Sequence, residues 1–236
     1  MALANYTDLV NSINSSAGWL HRNDLSAIIP DWITLCEQTI NNGDLEIFGV
    51  EGLRTGSQET LASGSLTANL QTLALPSGFL EMRRFYIVIS GVKREMTQRP
   101  IMPMSLSESS QIVGPPSTYW VIGSTIYFNT FVDQSYAYVM DYYAVVGPLT
   151  SAAPTNWLLT AAPSVYLFGT IAHGALSLGG KYIDSPQARG FISGFRAGMS
   201  GVTHADLNKR YRNTVLRSEV AAITNNSFDI RTGGFS

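Results

Sequence analysis

The sequence predicts an α+β fold, in which N- and C-terminal helices form a helical module and an antiparallel β-rich lobe is inserted between them. Two observations predict it. Apolar residues recur at spacings of three and four up to Gly43 and again after Pro163, the repeat of one helix face. Between them, residues 45–150 break into short runs of Val, Ile, Thr, Tyr and Phe separated by Gly, Pro, Ser and Asn. That is the chemistry of strands and turns.

In chain order, Tyr6, Leu9, Val10, Ile13 and Ala17 share one helical face. Asp24 can cap a short turn through Leu25 to Ile28, and Pro30 suits the first position of a second helix, where its missing N–H is not needed. Ile33, Cys36 or Glu37, and Ile40 continue that helix to Asn41-Asn42-Gly43, with Trp32 expected to bury against the first helix or the sheet. Strands are predicted at Leu45 to Gly49, Leu53 to Thr60, Leu70 to Leu75, Met82 to Ile89, Ser117 to Ile122, Thr125 to Asn129 and Tyr136 to Ala144, and the apolar block Leu75 to Leu80 also reads as strand. Gly123-Ser124 between two apolar runs predicts a hairpin turn. Pro103 to Gln111 reads as a short helical insertion.

Pro148, Pro154 and Pro163 mark a connector with a helical turn at Trp157-Leu158-Leu159. Helix is then predicted from Ser164, as cap, to about Tyr182, and from Ser185-Pro186 to about Ser218. Gly190, Gly194 and Gly198 recur every four residues on that last helix, so another helix can approach closely there, although each glycine costs about 1 kcal/mol of helix stability relative to alanine. The expected divisions are residues 1–43 (N-terminal helices), 44–150 (β-rich lobe), 151–220 (C-terminal helices completing the helical module) and 221–236 (a flexible tail).

The chain of 236 residues is long enough for one domain or two small ones, and it can bury a sizeable core. Charged residues make up 14% of it, against roughly 25% in a typical soluble domain, which leaves more neutral or apolar surface for partners. The net charge of −2 gives no overall case for nucleic acid or an anionic membrane. The distribution is uneven: residues 181–220 hold seven basic groups (Lys181, Arg189, Arg196, Lys209, Arg210, Arg212, Arg217) against three acidic ones, so they carry +4 and the rest −6. That stretch reads either as a solvated helix face or as a surface for assembly or passing DNA.

Residues that could do chemistry are few. Cys36 is the single cysteine, which excludes an internal disulfide and a zinc–cysteine cluster. His173 lies among apolar residues with no carboxylate or histidine at helical spacing, the pattern of a core or interface histidine. His21 and His204 have no neighbouring ligand set, so no metal or other cofactor is expected. Gly179-Gly180-Lys181 lacks the spacing of a phosphate loop and is followed by Tyr182. Acidic residues are scattered singly, without the close pair of a glycosidase or nuclease. The first eight residues lack a basic start and an apolar core, so no secretory signal is expected. The stretch Val165 to Leu178 is too short and too interrupted to span a bilayer. The work of this chain is expected to be shape and contact, not catalysis.

The ordered series Ile28-Ile29-Pro30-Asp31-Trp32-Ile33-Thr34-Leu35-Cys36-Glu37, Leu75-Pro76-Ser77-Gly78-Phe79-Leu80-Glu81, Gly114-Pro115-Pro116-Ser117-Thr118-Tyr119, Tyr138-Val139-Met140-Asp141-Tyr142-Tyr143 and Pro163-Ser164-Val165-Tyr166-Leu167-Phe168-Gly169 resembles the phage head-to-tail adaptor family, which includes the tail tubular protein A type of short-tailed phages. The likeness covers most of residues 24–185, and the glycine-rich stretch 190–201 departs from the family pattern. It implies a virion protein assembled in the host cytoplasm as a ring, usually twelve-fold. The ring would dock under the portal protein, join head to tail or nozzle and enclose the channel for the leaving genome. The family carries no catalytic residues.

On that reading Arg189, Arg196, Lys209, Arg210, Arg212 and Arg217 are the candidate channel or assembly contacts, touching DNA without sequence preference. Phe228, Ile230 and Phe235 are candidate anchors by which the polar tail orders on the portal or an adjacent subunit. Another tail or nozzle structural protein is the alternative. A carbohydrate-binding or hydrolytic β-domain is a third reading, for which aromatics are present and paired acids are not.

Overall fold

The computed structural model describes residues 3–16, 25–100, 112–182 and 185–211. Ala17, the Asp24 cap, the insertion Pro103 to Gln111, the last helix beyond Tyr211 and the tail from 221 lie outside them. Among the described residues the architecture is α+β, with five α-helices and mainly antiparallel sheets. Among the described residues no helix is long and apolar enough to cross a membrane.

Helix α1 (Tyr6–Ser16) starts from a reciprocal cap. The Asn5 side chain accepts the Asp8 N–H at 3.0 Å, which satisfies a donor that a helix start leaves open, and the Asp8 carboxylate reaches back to accept the Ala4 N–H ahead of the helix at 3.2 Å. A 3-10 turn at Leu25–Ala27 leads into α2 (Ile29–Asn42), with Pro30 in its first turn. The helix ends at Gly43, whose φ of +80° suits glycine. Helix α3 (Trp157–Ala161) is capped by Asn156, whose side chain accepts the Leu159 N–H at 2.8 Å. Helices α4 (Pro163–Leu178) and α5 (Pro186–Tyr211) complete the set. Ser164 does not cap α4: the helix begins one residue earlier, because proline is pre-set for the first turn.

Helix α4 is the hub, in contact with α1, α2, α3 and α5. Two of its glycines permit this. A Cβ on Gly174 would lie 2.7 Å from the Trp32 indole, and one on Gly169 would lie 2.5 Å from the Cys36 sulfur and 2.7 Å from the Phe195 ring. Trp32 is thus buried against α4, a correction to the expectation that it packs on the first helix or the sheet. On α5, Gly194 and Gly198 receive Phe168 and Val165 in the same way, whereas Gly190 faces open space. The resulting core joins Leu9, Ile13, Ile33, Ile40, Tyr166 and Phe195 to Phe48 and Leu53 from the segment that follows α2.

The β-rich part opens with a small hairpin, β1 (Gly43–Asp44) and β2 (Val50–Glu51). Strands β3 (Glu59–Ser65), β5 (Phe79–Ile89), β6 (Val92–Glu95) and β10 (Ala137–Ala144) form an antiparallel sheet of order β3-β10-β5-β6. Strands β4 (Thr72–Ala74), β7 (Thr97–Gln98), β8 (Thr118–Ile122) and β9 (Thr125–Phe128) form a second sheet of order β4-β9-β8-β7, in which the short β7–β8 pair is parallel. Gly123, at φ +59°, makes the β8–β9 turn. A separate core fills this part, built around Phe85, whose ring meets Tyr119 edge-on at 5.3 Å and Tyr138 at 5.8 Å.

Three strand assignments from the sequence are corrected. Leu45 to Gly49 is the loop of the β1–β2 hairpin: the Asp44 side chain accepts the Ile47 N–H at 2.9 Å, and only Phe48 points inward. Leu53 to Thr60 is not one strand, because the Thr55 and Gln58 side chains cap a 3-10 turn at Gly56–Gln58 and β3 starts only at Glu59. Leu75 to Leu80 is split by a turn over residues 76–78, with Gly78 at φ +72°, and β5 starts at Phe79.

Candidate assembly surface

Of the six basic candidates, Arg189 and Lys209 are exposed on α5. Arg196 folds back instead: its Nε donates to the Phe48 carbonyl at 2.9 Å, and its guanidinium lies over Gly49, at φ +61°, where a Cβ would come within 2.8 Å of it. It clamps the hairpin loop to α5. Arg212 and Arg217, with the anchors Phe228, Ile230 and Phe235, lie outside the described residues.

Arg210 belongs to an ion chain inside its own subunit. It pairs with Glu59 on β3, and its Nε donates to Asp206 one turn back at 2.6 Å. Asp206 also accepts the Gly56 N–H at 3.0 Å. Glu59 in turn pairs with Arg83 on β5 at 2.8 Å, and Arg83 reaches Asp141 on β10 at 3.1 Å and lies over the Tyr143 ring at 5.3 Å. The last turns of α5 are thereby tied to three strands. The i,i+4 spacing of Asp206 and Arg210 was visible in the sequence; their tie to Glu59 was not. Beside this chain lies a groove of about 870 Å³ whose lining includes Trp157, Pro163, Gly198, Val202 and Lys209.

A polar cluster joins the helices to the segment leaving the β-rich part. Glu37, buried on α2, accepts the Leu149 N–H at 2.6 Å and faces the Tyr166 hydroxyl at 3.4 Å. Burial pushes its carboxyl up to about 7 against the two hydrogen bonds it accepts. Asn41 accepts the Val146 N–H at 2.8 Å, and Asn156 donates to the Gly147 carbonyl and to the Tyr166 oxygen, both at 2.6 Å. Arg54 donates to the Asn41 carbonyl at 2.9 Å and to Glu81 on β5 at 2.7 Å.

His173 shares a hydrogen bond with the Thr39 hydroxyl at 3.0 Å and packs its ring on Phe48 at 4.4 Å. Burial lowers its pKa to about 4, so the ring is neutral. Among the described residues no group of three or more His, Cys, Asp or Glu side chains is placed to hold a metal ion. The polar clusters are built to hold elements in place.

The family model described as SU10 adaptor protein matches residues 4–218, and the chain belongs to that family. No curated protein matches it. The protein is therefore a phage adaptor, located in the virion, that works through contact with other virion components.

Proposed function

We propose that this adaptor assembles as a closed ring between the portal and the tail or nozzle and encloses the channel through which the genome leaves. The observation that carries this reading is the adaptor family match over residues 4–218. It is supported by the low content of charged residues, 14%, and by large apolar side chains left exposed on the single subunit, among them Leu45, Leu61, Val92 and Ile112. Such a surface suits a subunit completed by its neighbours. The resemblance to head-to-tail adaptors, whose rings are usually twelve-fold, favours that number here.

In this reading the helical module and the β-rich lobe are the working divisions of the subunit, near residues 44 and 150. Of the basic candidates on the described part of α5, Arg189 and Lys209 are exposed and would touch DNA or a neighbour, without sequence preference, while Arg196 and Arg210 serve the fold. Phe228, Ile230 and Phe235 anchor the tail on the portal or the adjacent subunit. Negative-stain imaging and sedimentation of the purified protein, alone and with portal, test the ring: closed annuli support it, and a monomer at all concentrations in both samples rejects it. Deleting residues 221–236 should leave the melting temperature of the subunit near unchanged and lower the yield of heads joined to tails. A normal particle yield would remove the role given to the tail.

A further inference from the structure

We propose that neighbouring subunits join edge to edge, β3 of one copy pairing antiparallel with β6 of the next, so that the sheet β3-β10-β5-β6 continues around the ring. This rests on the ring reading above and names the contact that would build it. A sheet edge presents a row of unpaired N–H and C=O groups that another strand can complete, and proteins usually blunt such edges with charges, proline or bulges. Strand β3 lacks these protections. After Glu59 its residues are Thr60-Leu61-Ala62-Ser63-Gly64-Ser65, without charge or proline, and its register against β10 runs through seven residues without a shift. Five of its seven residues are exposed, and Leu61 keeps 72% of its surface. At the opposite edge all four residues of β6 are exposed, Val92 by 60%. Among the described residues neither strand has a partner on its outer side.

Strand direction selects the occupant. The three pairings β3–β10, β10–β5 and β5–β6 are all antiparallel, so β3 and β6 run in opposite directions. Copies related by rotation about an axis near the strand direction keep that direction. The β6 of the next copy therefore arrives antiparallel to β3, and the extended sheet alternates without a break. Two different edges of one molecule meeting in this way make a heterologous contact, the kind that closes into rings, whereas β3 on β3 or β6 on β6 would end at a dimer. Charge permits it: β6 carries Lys93, Arg94 and Glu95, a net +1, while β3 is uncharged after Glu59, whose carboxylate is already paired with Arg83 and Arg210. Two β6 edges would set like charges against each other.

The test uses the full chain with Ser63→Cys combined in turn with Val92→Cys, Lys93→Cys, Arg94→Cys or Glu95→Cys, oxidised at high protein concentration and imaged by negative stain beside the wild type. Within one chain the two edges are three strand spacings apart, about 14 Å, beyond the reach of a disulfide. The native Cys36 is fully buried. At least one pair should give a ladder of dimer, trimer and higher bands on a non-reducing gel, with none from the single variants. A second variant, Leu61→Lys with Ser63→Lys, should lose the ring peak in sedimentation while keeping the wild-type melting temperature. Closed rings without any ladder overturn the edge contact and leave the ring reading standing; a ladder without closed rings does the reverse. Dimers from Ser63→Cys alone, or rings that survive the double lysine variant, also overturn the proposal.

Discussion

Glu37 on α2 accepts the backbone N–H of Leu149 at 2.6 Å, across 112 residues of sequence. One carboxylate thus holds the segment that returns from the sheets to the helices, four residues from where Asn41 accepts the Val146 N–H. The position is costly for a charge. Burial raises the Glu37 carboxyl to about 7, so the folded state binds a proton there more tightly than the unfolded chain does. His173, whose pKa falls to about 4, is the opposite case.

These two groups should oppose each other in the pH dependence of stability. For Glu37, stability is greatest near and below pH 4.5 and declines as pH rises towards 7, because the unfolded state loses its proton first. For His173, stability is full above about 6.5 and is lost as pH falls towards 4. Between these limits the slopes partly cancel in the wild type. Glu37→Gln should expose the His173 trend, a melting temperature that rises from pH 4 to 6.5, and His173→Gln should expose the falling Glu37 trend. Thermal melts from pH 4 to 8 read this directly, and identical profiles for both variants would contradict it.

Gly169 and Gly174 should be intolerant of any side chain, whereas Gly190 should accept one. A Cβ at Gly169 or Gly174 meets Cys36, Phe195 or Trp32 well inside contact distance, on a helix packed on several sides. Overpacking of this kind costs about 1–3 kcal/mol. Gly190→Ala meets nothing within 4 Å and should gain up to about 1 kcal/mol from helix propensity. Trp32→Ala should cost about 3–5 kcal/mol by leaving a cavity on α4. Urea denaturation of the four variants sets the order.

The elements with a long, clean period were legible in the sequence. The helices α1, α2 and α5 and the strands β5, β8, β9 and β10 lie close to where apolar spacing put them, because each buries one face in one of two cores. Leu45, Ile47 and Leu53 misled because they imitate strand spacing while local Asx and capping bonds bend the chain. Strand β6, Val-Lys-Arg-Glu, gave no signal at all: it is exposed on every residue and owes its conformation to pairing with β5. The basic stretch of α5 was legible as a cluster, but its division into tied and free residues depends on Phe48 and Glu59, which lie about 150 positions away in sequence.

The ion chain should show measurable coupling. Arg210 and Glu59 are about one quarter exposed, so their pairing is neither fully screened nor fully buried. A double-mutant cycle with Arg210→Ala and Glu59→Ala should give a coupling of about 1 kcal/mol. It should shrink as salt is raised from 50 mM towards 1 M, where the Debye length falls to about 3 Å. A coupling of zero at low salt would show that Arg83 alone satisfies Glu59.

The division of the basic residues predicts which substitutions alter DNA contact and which alter the fold. Each phosphate neutralised by a side chain adds about 0.9 to the slope of log K against log salt for duplex DNA. Arg189→Ala and Lys209→Ala, both at exposed sites, should lower that slope in assembled protein with little change in melting temperature. Arg196→Ala should do the reverse: the Phe48 carbonyl loses its donor, and the hairpin loop loses its clamp on α5. The expected cost is about 1–3 kcal/mol, with the salt slope unchanged. Titrating fluorescent duplexes of unrelated sequence at several salt concentrations, beside thermal melts of the same variants, separates the two groups. Equal slopes for wild type and the Arg189→Ala/Lys209→Ala double variant would remove these residues from the DNA path. A strong preference among the duplexes would remove the non-specific contact itself, since a sliding genome requires a surface indifferent to sequence.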